Sequence, residues 1–123
     1  MERSNLFLVA AIWNFAIAGA GLLLPEFAAS ISLVKPYAST FAMLWMFYGL
    51  VLAFGIGYYL VWRDPVANRS IILLGIIGKT FVFFQVWALY LMQEGTLLFA
   101  LAGTGDLIFA ALFLNYLRKH PAS

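Results

Sequence analysis

Four long apolar stretches occupy almost all of the 123-residue chain, and two of them carry a full charge close to their centres. They cover 6–24, 41–62, 71–92 and 96–117. Each holds about 19–22 residues, and at 1.5 Å per residue that gives about 28–33 Å of helix, the thickness of a bilayer's hydrocarbon core. Backbone groups in lipid need partners within their own structure, and runs this long satisfy them as helices rather than as the short alternating strands of a barrel. Composition argues the same way. Hydrophobic residues make up 65% of the chain and charged residues 10%, whereas a soluble domain keeps roughly a quarter of its residues charged. The expected fold is all-α: a polytopic integral membrane protein, built as an antiparallel four-transmembrane-helix bundle, with residues 1–123 as one domain. The weakly charged start Met1-Glu2-Arg3-Ser4-Asn5 and the length of run 6–24 argue for a retained span rather than a cleaved signal peptide.

Lysine and arginine placement sets the expected orientation. Arg3, Arg63, Arg69, Arg118 and Lys119 fall on one side and Lys35 on the other, which puts both termini in the cytoplasm by the positive-inside rule. Tyr58, Tyr59, Trp62 and Tyr116 are expected near the inner interface, and Tyr37, Trp45, Trp87 and Tyr90 towards the outer one. Between the second and third stretches, Pro65 breaks the helix and Asn68 or Ser70 is available as the next N-cap. Gln93-Glu94-Gly95 is so short that the stretches it joins must be neighbours. Segment 25–36 reads as a short outer interfacial helix. Pro25 and Glu26 suit its start, Phe27, Ile31 and Val34 recur at helical spacing, and Lys35-Pro36 suits its stop.

Several chemistries are excluded. Without cysteine there is no disulfide exchange, thiolate metal site or iron–sulfur ligation. The single histidine, His120, is expected as an exposed tail residue, and paired-histidine haem ligation within one chain is ruled out. No Ser–His–Asp set, metal-ligand spacing or phosphate-cradling glycine loop occurs, so no metal or cofactor is expected, and an enzyme would have to rely on Lys79, Asp106, Tyr48 and Glu26. The few basic residues at segment ends are a topology signal, not a nucleic-acid footprint.

The two mid-stretch charges, Lys79 and Asp106, are the strongest clue to anything further. In a hairpin, residues equidistant from the turn face each other, and the midpoint of positions 79 and 106 falls between Met92 and Gln93. Their depths then differ by about 3–6 Å, within reach of a lysine side chain. An unpaired charge at a helix centre in lipid costs about 2.5–3.5 kcal/mol on an insertion scale, and pairing offsets much of that. Asn14, at the depth of Lys79, and Tyr48 and Gln85, further out, are candidate companions. Gln85 is about a third of a turn off the Lys79 face, and Thr104 points away from Asp106. Gly75 and Gly78, with the stripe Ala102–Asp106–Ala110, are expected to permit close helix packing. The pair reads either as a pin fixing the register of two helices or as an ion-coupled or ligand site.

Trp13-Asn14, Tyr48-Gly49, Gly55-Ile56-Gly57-Tyr58, Arg63-Asp64-Pro65, Gly78-Lys79 and Gly105-Asp106-Leu107-Ile108-Phe109 occur in order along most of the chain. In these stretches the chain resembles a group of small bacterial four-span proteins. The resemblance implies a bacterial inner-membrane location and brings no activity with it. The small multidrug-resistance exporters, by contrast, carry a glutamate in their first helix, and 6–24 contains no acid. Three functional readings stay open. The preferred one is a membrane accessory or interaction protein, self-associating or joined to another membrane subunit. The second is a small oligomeric transporter or channel using Lys79 and Asp106 as a proton- or ion-coupled site. The third is a binding protein or enzyme for a lipophilic small molecule.

Overall fold

The computed structural model describes residues 5–35 and 38–122, with 38–40 as backbone alone. Arg3, Pro36 and Tyr37, each used above to place a boundary, lie outside the described residues. Five α-helices follow one another among the described residues: α1 (Leu6–Leu23), α2 (Pro25–Ser32), α3 (Ala38–Arg63), α4 (Arg69–Leu91) and α5 (Leu97–Lys119). Of these, α1, α3, α4 and α5 are long and apolar enough to cross a membrane. Their outer faces are apolar as well: Leu50, Leu74, Phe81, Leu98 and Ile108 are all exposed. A water-facing surface does not carry apolar area on this scale.

The helix ends are closed by local chemistry. Asn68 does occupy the N-cap position of α4, but its side chain works backwards. Its amide donates to the carbonyls of Leu60 and Asp64, at 3.1 and 3.0 Å, and so caps the end of α3. At the end of α4, Gln93 takes a left-handed backbone with φ of 63°. This turn lets the Glu94 and Gly95 amides fold back onto the Leu89 carbonyl. Thr96 caps α5, its hydroxyl oxygen accepting from the Phe99 amide at 3.2 Å while its proton goes to the Ile31 carbonyl.

That last bond shows how α2 sits. Segment 25–36 contains a helix, Pro25–Ser32, as its spacing suggests, and the structure shows which face turns inwards. Ala28, Ala29 and Ser32 are buried against the bundle, while Phe27 and Val34 point outwards. Small residues let α2 lie close on the helices beneath, and its large apolar side chains are left for the surroundings. Past α2 the chain is stitched to the α4–α5 turn by Val34 N–H to Glu94 carbonyl and Thr96 N–H to Ser32 carbonyl bonds, both 2.9 Å. At the opposite end, Arg69 reaches the carbonyls of Leu117 and His120. Arg63, Arg69, Arg118 and Lys119 therefore share one end and Lys35 the other.

The long helices pack as two pairs, α1 with α3 and α4 with α5. Glycines decide where they meet, mostly by seating a ring from another helix. A Cβ on Gly21 would lie 2.1 Å from the Tyr48 ring, one on Gly75 2.8 Å from Tyr58, and one on Gly105 2.7 Å from Trp13. Gly103 instead receives Val86, at 2.2 Å, and marks the close approach of α4 and α5. The expected packing stripe is therefore displaced: Gly103, not Ala102, takes the neighbouring helix, and Gly75 serves α3 rather than α5. Ala110 is buried, whereas Gly78 meets only Phe54 at 3.9 Å, an ordinary contact. Tyr58, expected at an interface, is 1% exposed and forms the core with Phe7, Ala10, Ala11, Val61, Ile72 and Phe113. This core fills the half of the bundle nearer the 64–68 connection; in the other half α3 and α4 stand apart.

These seats give a graded expectation. Gly21→Val and Gly103→Val should each destabilise the purified protein by about 1–3 kcal/mol through overpacking. Gly49→Val, with nothing within 4 Å of its Cβ, should change stability by less than about 0.5 kcal/mol. Thermal unfolding in detergent, followed by circular dichroism, measures the contrast.

Candidate functional site

A single polar network ties all four long helices together midway along their length. The Lys79 ammonium on α4 lies 2.6 Å from Asp106 Oδ1 on α5. The facing register follows from the tight turn, which holds α4 and α5 side by side and also brings Trp87 within 2.9 Å of Thr104. Lys79 Nζ donates a second hydrogen bond to Asn14 Oδ1 on α1, at 3.1 Å. Asn14 Nδ2 donates in turn to the Val51 carbonyl on α3, at 3.0 Å. Only one amide orientation satisfies both bonds, since an ammonium can only donate and a carbonyl can only accept. The Trp13 indole N–H completes the set, donating to Asp106 Oδ1 at 3.1 Å.

Electrostatics and packing both favour this arrangement. The two opposite charges cancel at close range, and each is hydrogen-bonded to a neutral polar group from α1. The rings of Tyr58 and Phe109 lie 5.2 and 5.3 Å from the ammonium, where their negative faces attract it. Lys79 is 5% exposed, while the Asp106 side chain keeps 17% of its surface open.

That opening leads into a cavity of about 290 Å³ between α3 and α4. Its floor is Trp13, Asn14, Lys79 and Asp106; its walls include Phe47, Leu50, Val51, Phe54, Val82 and Phe99. A second cavity, of about 500 Å³, shares Phe47, Val82, Gln85, Val86 and Phe99 with the first and runs on to Lys35 and Glu94. The two make one groove, apolar along its sides, leading from the polar network to the α2 end. Gly78 belongs to this groove, where the missing side chain keeps the floor open, and Ala102 lines it as well.

The residues singled out from sequence thus divide. Lys79, Asp106 and Asn14 come together. Gln85 lies on the groove wall, exposed, with no side-chain hydrogen bond among the described residues. Tyr48 is elsewhere: it is seated on Gly21 and its hydroxyl lies 3.3 Å from Ser32 Oγ, so it anchors α2. Thr104 is turned towards Trp87 and the Ala100 carbonyl, away from the network. Trp13 and Tyr58 are the members that sequence reasoning missed. Trp13 is one residue from Asn14, and the available signal was a glycine, Gly105, beside Asp106 that leaves room for an indole. Among the described residues no three His, Asp or Glu side chains gather as a metal site would require. Comparison with family models, curated proteins and solved structures returns no match.

Removing one ion exposes the other. Lys79→Met and Asp106→Leu should each lower unfolding stability in detergent by about 3–5 kcal/mol, and the double variant should recover part of the loss. Recovery stays incomplete because Asn14 and Trp13 keep polar groups that have lost their partners. Two additive single effects in this cycle would mean that the ions are not coupled.

Proposed function

We propose that the chain is a bacterial inner-membrane protein, an antiparallel four-transmembrane-helix bundle with both termini cytoplasmic, which holds a lipophilic small molecule in the groove between α3 and α4. Four helices of membrane-crossing length and a cluster of basic residues at one end support the placement. One observation carries the binding reading: an apolar groove whose floor is a partly open carboxylate. Small-molecule sites combine apolar walls with a few convergent polar groups in about 300–1,000 Å³, and the groove has that build.

The alternatives fit less well. A pair that served only as a register pin would be most effective closed off on every side, yet Asp106 opens on empty space. A conduction path would have to continue towards the 64–68 connection, and there Phe7, Tyr58, Val61, Ile72 and Phe113 fill the bundle. A lipophile needs no such exit. It enters sideways from the acyl chains, between exposed Leu50 on α3 and Phe81 on α4.

The absence of native cysteine makes the orientation directly testable. In intact cells a membrane-impermeant maleimide should label Glu94→Cys and leave Ala67→Cys and Ala122→Cys unlabelled until the membrane is opened. The reverse pattern would invert the topology. For the groove, a photoactivatable alkyl diazirine in reconstituted membranes should modify residues lining the cavity on α3 and α4. Gly78→Leu should abolish those adducts and spare adducts on outward-facing Leu112 and Leu114 of α5. Unchanged labelling of the cavity residues in Gly78→Leu would rule out occupancy of the groove.

A further inference from the structure

One carboxylate oxygen of the polar network, Asp106 Oδ2, accepts no hydrogen bond from the described residues, and it points to the chemistry of the ligand's head. Trp13 has one N–H, already given to Asp106 Oδ1. Asn14 uses its oxygen on Lys79 and its nitrogen on Val51. Lys79 gives one proton to Asn14 and one to Asp106; its third has no acceptor among the described residues, and the Tyr58 and Phe109 rings flank the ammonium. Among the side-chain oxygens of the network, Asp106 Oδ2 is the one that accepts nothing from the described residues. A carboxylate offers two oxygens, yet both donors converge on Oδ1, and among the described residues no donor reaches Oδ2. The residue's open surface lines the groove. What Asp106 Oδ2 lacks is a hydrogen-bond donor, and a hydroxyl supplies one while its own oxygen can accept from the spare Lys79 proton.

Charge narrows the class further. Lys79 and Asp106 sum to zero, so a cationic head would leave one uncompensated charge in a low-dielectric site, and an anionic head would in addition face a carboxylate. A neutral donor incurs neither cost, and a hydroxyl bound to an ionised oxygen makes one of the stronger hydrogen bonds available. From Asp106 to the Thr96 level is about 15 Å along α5, a reach that one extended alkyl chain of dodecanol's length covers. We infer that the groove takes a neutral, single-chain lipophile bearing a hydroxyl, which donates to Asp106 Oδ2 while its alkyl body lies along Phe47, Leu50, Val82, Val86 and Phe99. The assignment rests on the groove reading above and adds the chemistry of the bound head.

The test is equilibrium binding of tritiated dodecanol to the full chain in nanodiscs, against empty nanodiscs, with dodecyl methyl ether and dodecylammonium as competitors. Dodecanol should bind at least about ten-fold more tightly than the ether, which has the same body but no proton to give. It should also bind more tightly than dodecylammonium. In the Lys79→Met/Asp106→Leu double variant the preference for alcohol over ether should vanish while alkyl binding persists. Gly78→Leu, which leaves the polar network untouched, should lose both ligands. Equal binding of alcohol and ether to the unmodified protein would overturn the hydroxyl assignment and leave the groove standing. Tighter binding of the ammonium would overturn the requirement for a neutral head. No binding of any of the three above empty nanodiscs would overturn the groove reading, and this inference with it.

Discussion

An ammonium and an indole share one carboxylate oxygen, and the geometry of the bundle depends on that convergence. Lys79 and Trp13 approach Asp106 Oδ1 from different helices, so α4, α5 and α1 must bring their backbones to one level. Asn14 then passes the constraint to α3 through the Val51 carbonyl. The glycine seats set how closely the helices approach, and the polar network adds a common level at which they must do so. Polar groups in lipid tolerate few alternatives, since a misaligned partner leaves a charge without compensation.

Close packing on one side of the network and open space on the other come from the same residues. Towards the 64–68 connection, Tyr58 lies against Gly75, and the Phe7 and Phe113 rings meet at a tilt of 35° with centroids 4.9 Å apart. That half is filled by aromatic rings seated on small residues. In the other half, α3 and α4 separate and leave the cavity, with Gly78 contributing no side chain to close it. A bundle with one solid half and one hollow half presents its polar network as the floor of a pocket.

Much of this was legible in the sequence, for reasons that can be named. The four long helices follow from run length alone. The meeting of Lys79 and Asp106 follows from counting residues around a three-residue turn, because a tight connection leaves almost no freedom in register. Asn14 followed from depth. Rotation about each helix axis was less legible, because it is set by which ring finds which gap. Tyr58 looks like an interfacial tyrosine until Gly75 is seen to receive it, and Tyr48 looks like a companion of the pair until Ser32 and Gly21 claim it. Phe27, Ile31 and Val34 have helical spacing, but spacing does not say which face of α2 turns inwards. The groove had no local signal. It is what remains when the core is complete.

The path of the network through the chain has a consequence for biosynthesis. Lys79 precedes Asp106 by 27 residues, so it leaves the ribosome before its carboxylate does. A lysine entering lipid alone would resist insertion. Asn14 and the Val51 carbonyl belong to helices that precede α4, so these two members of the network are made before the lysine. In chain order, then, Asn14 is the partner of Lys79 that is made before it and Asp106 the one made after it.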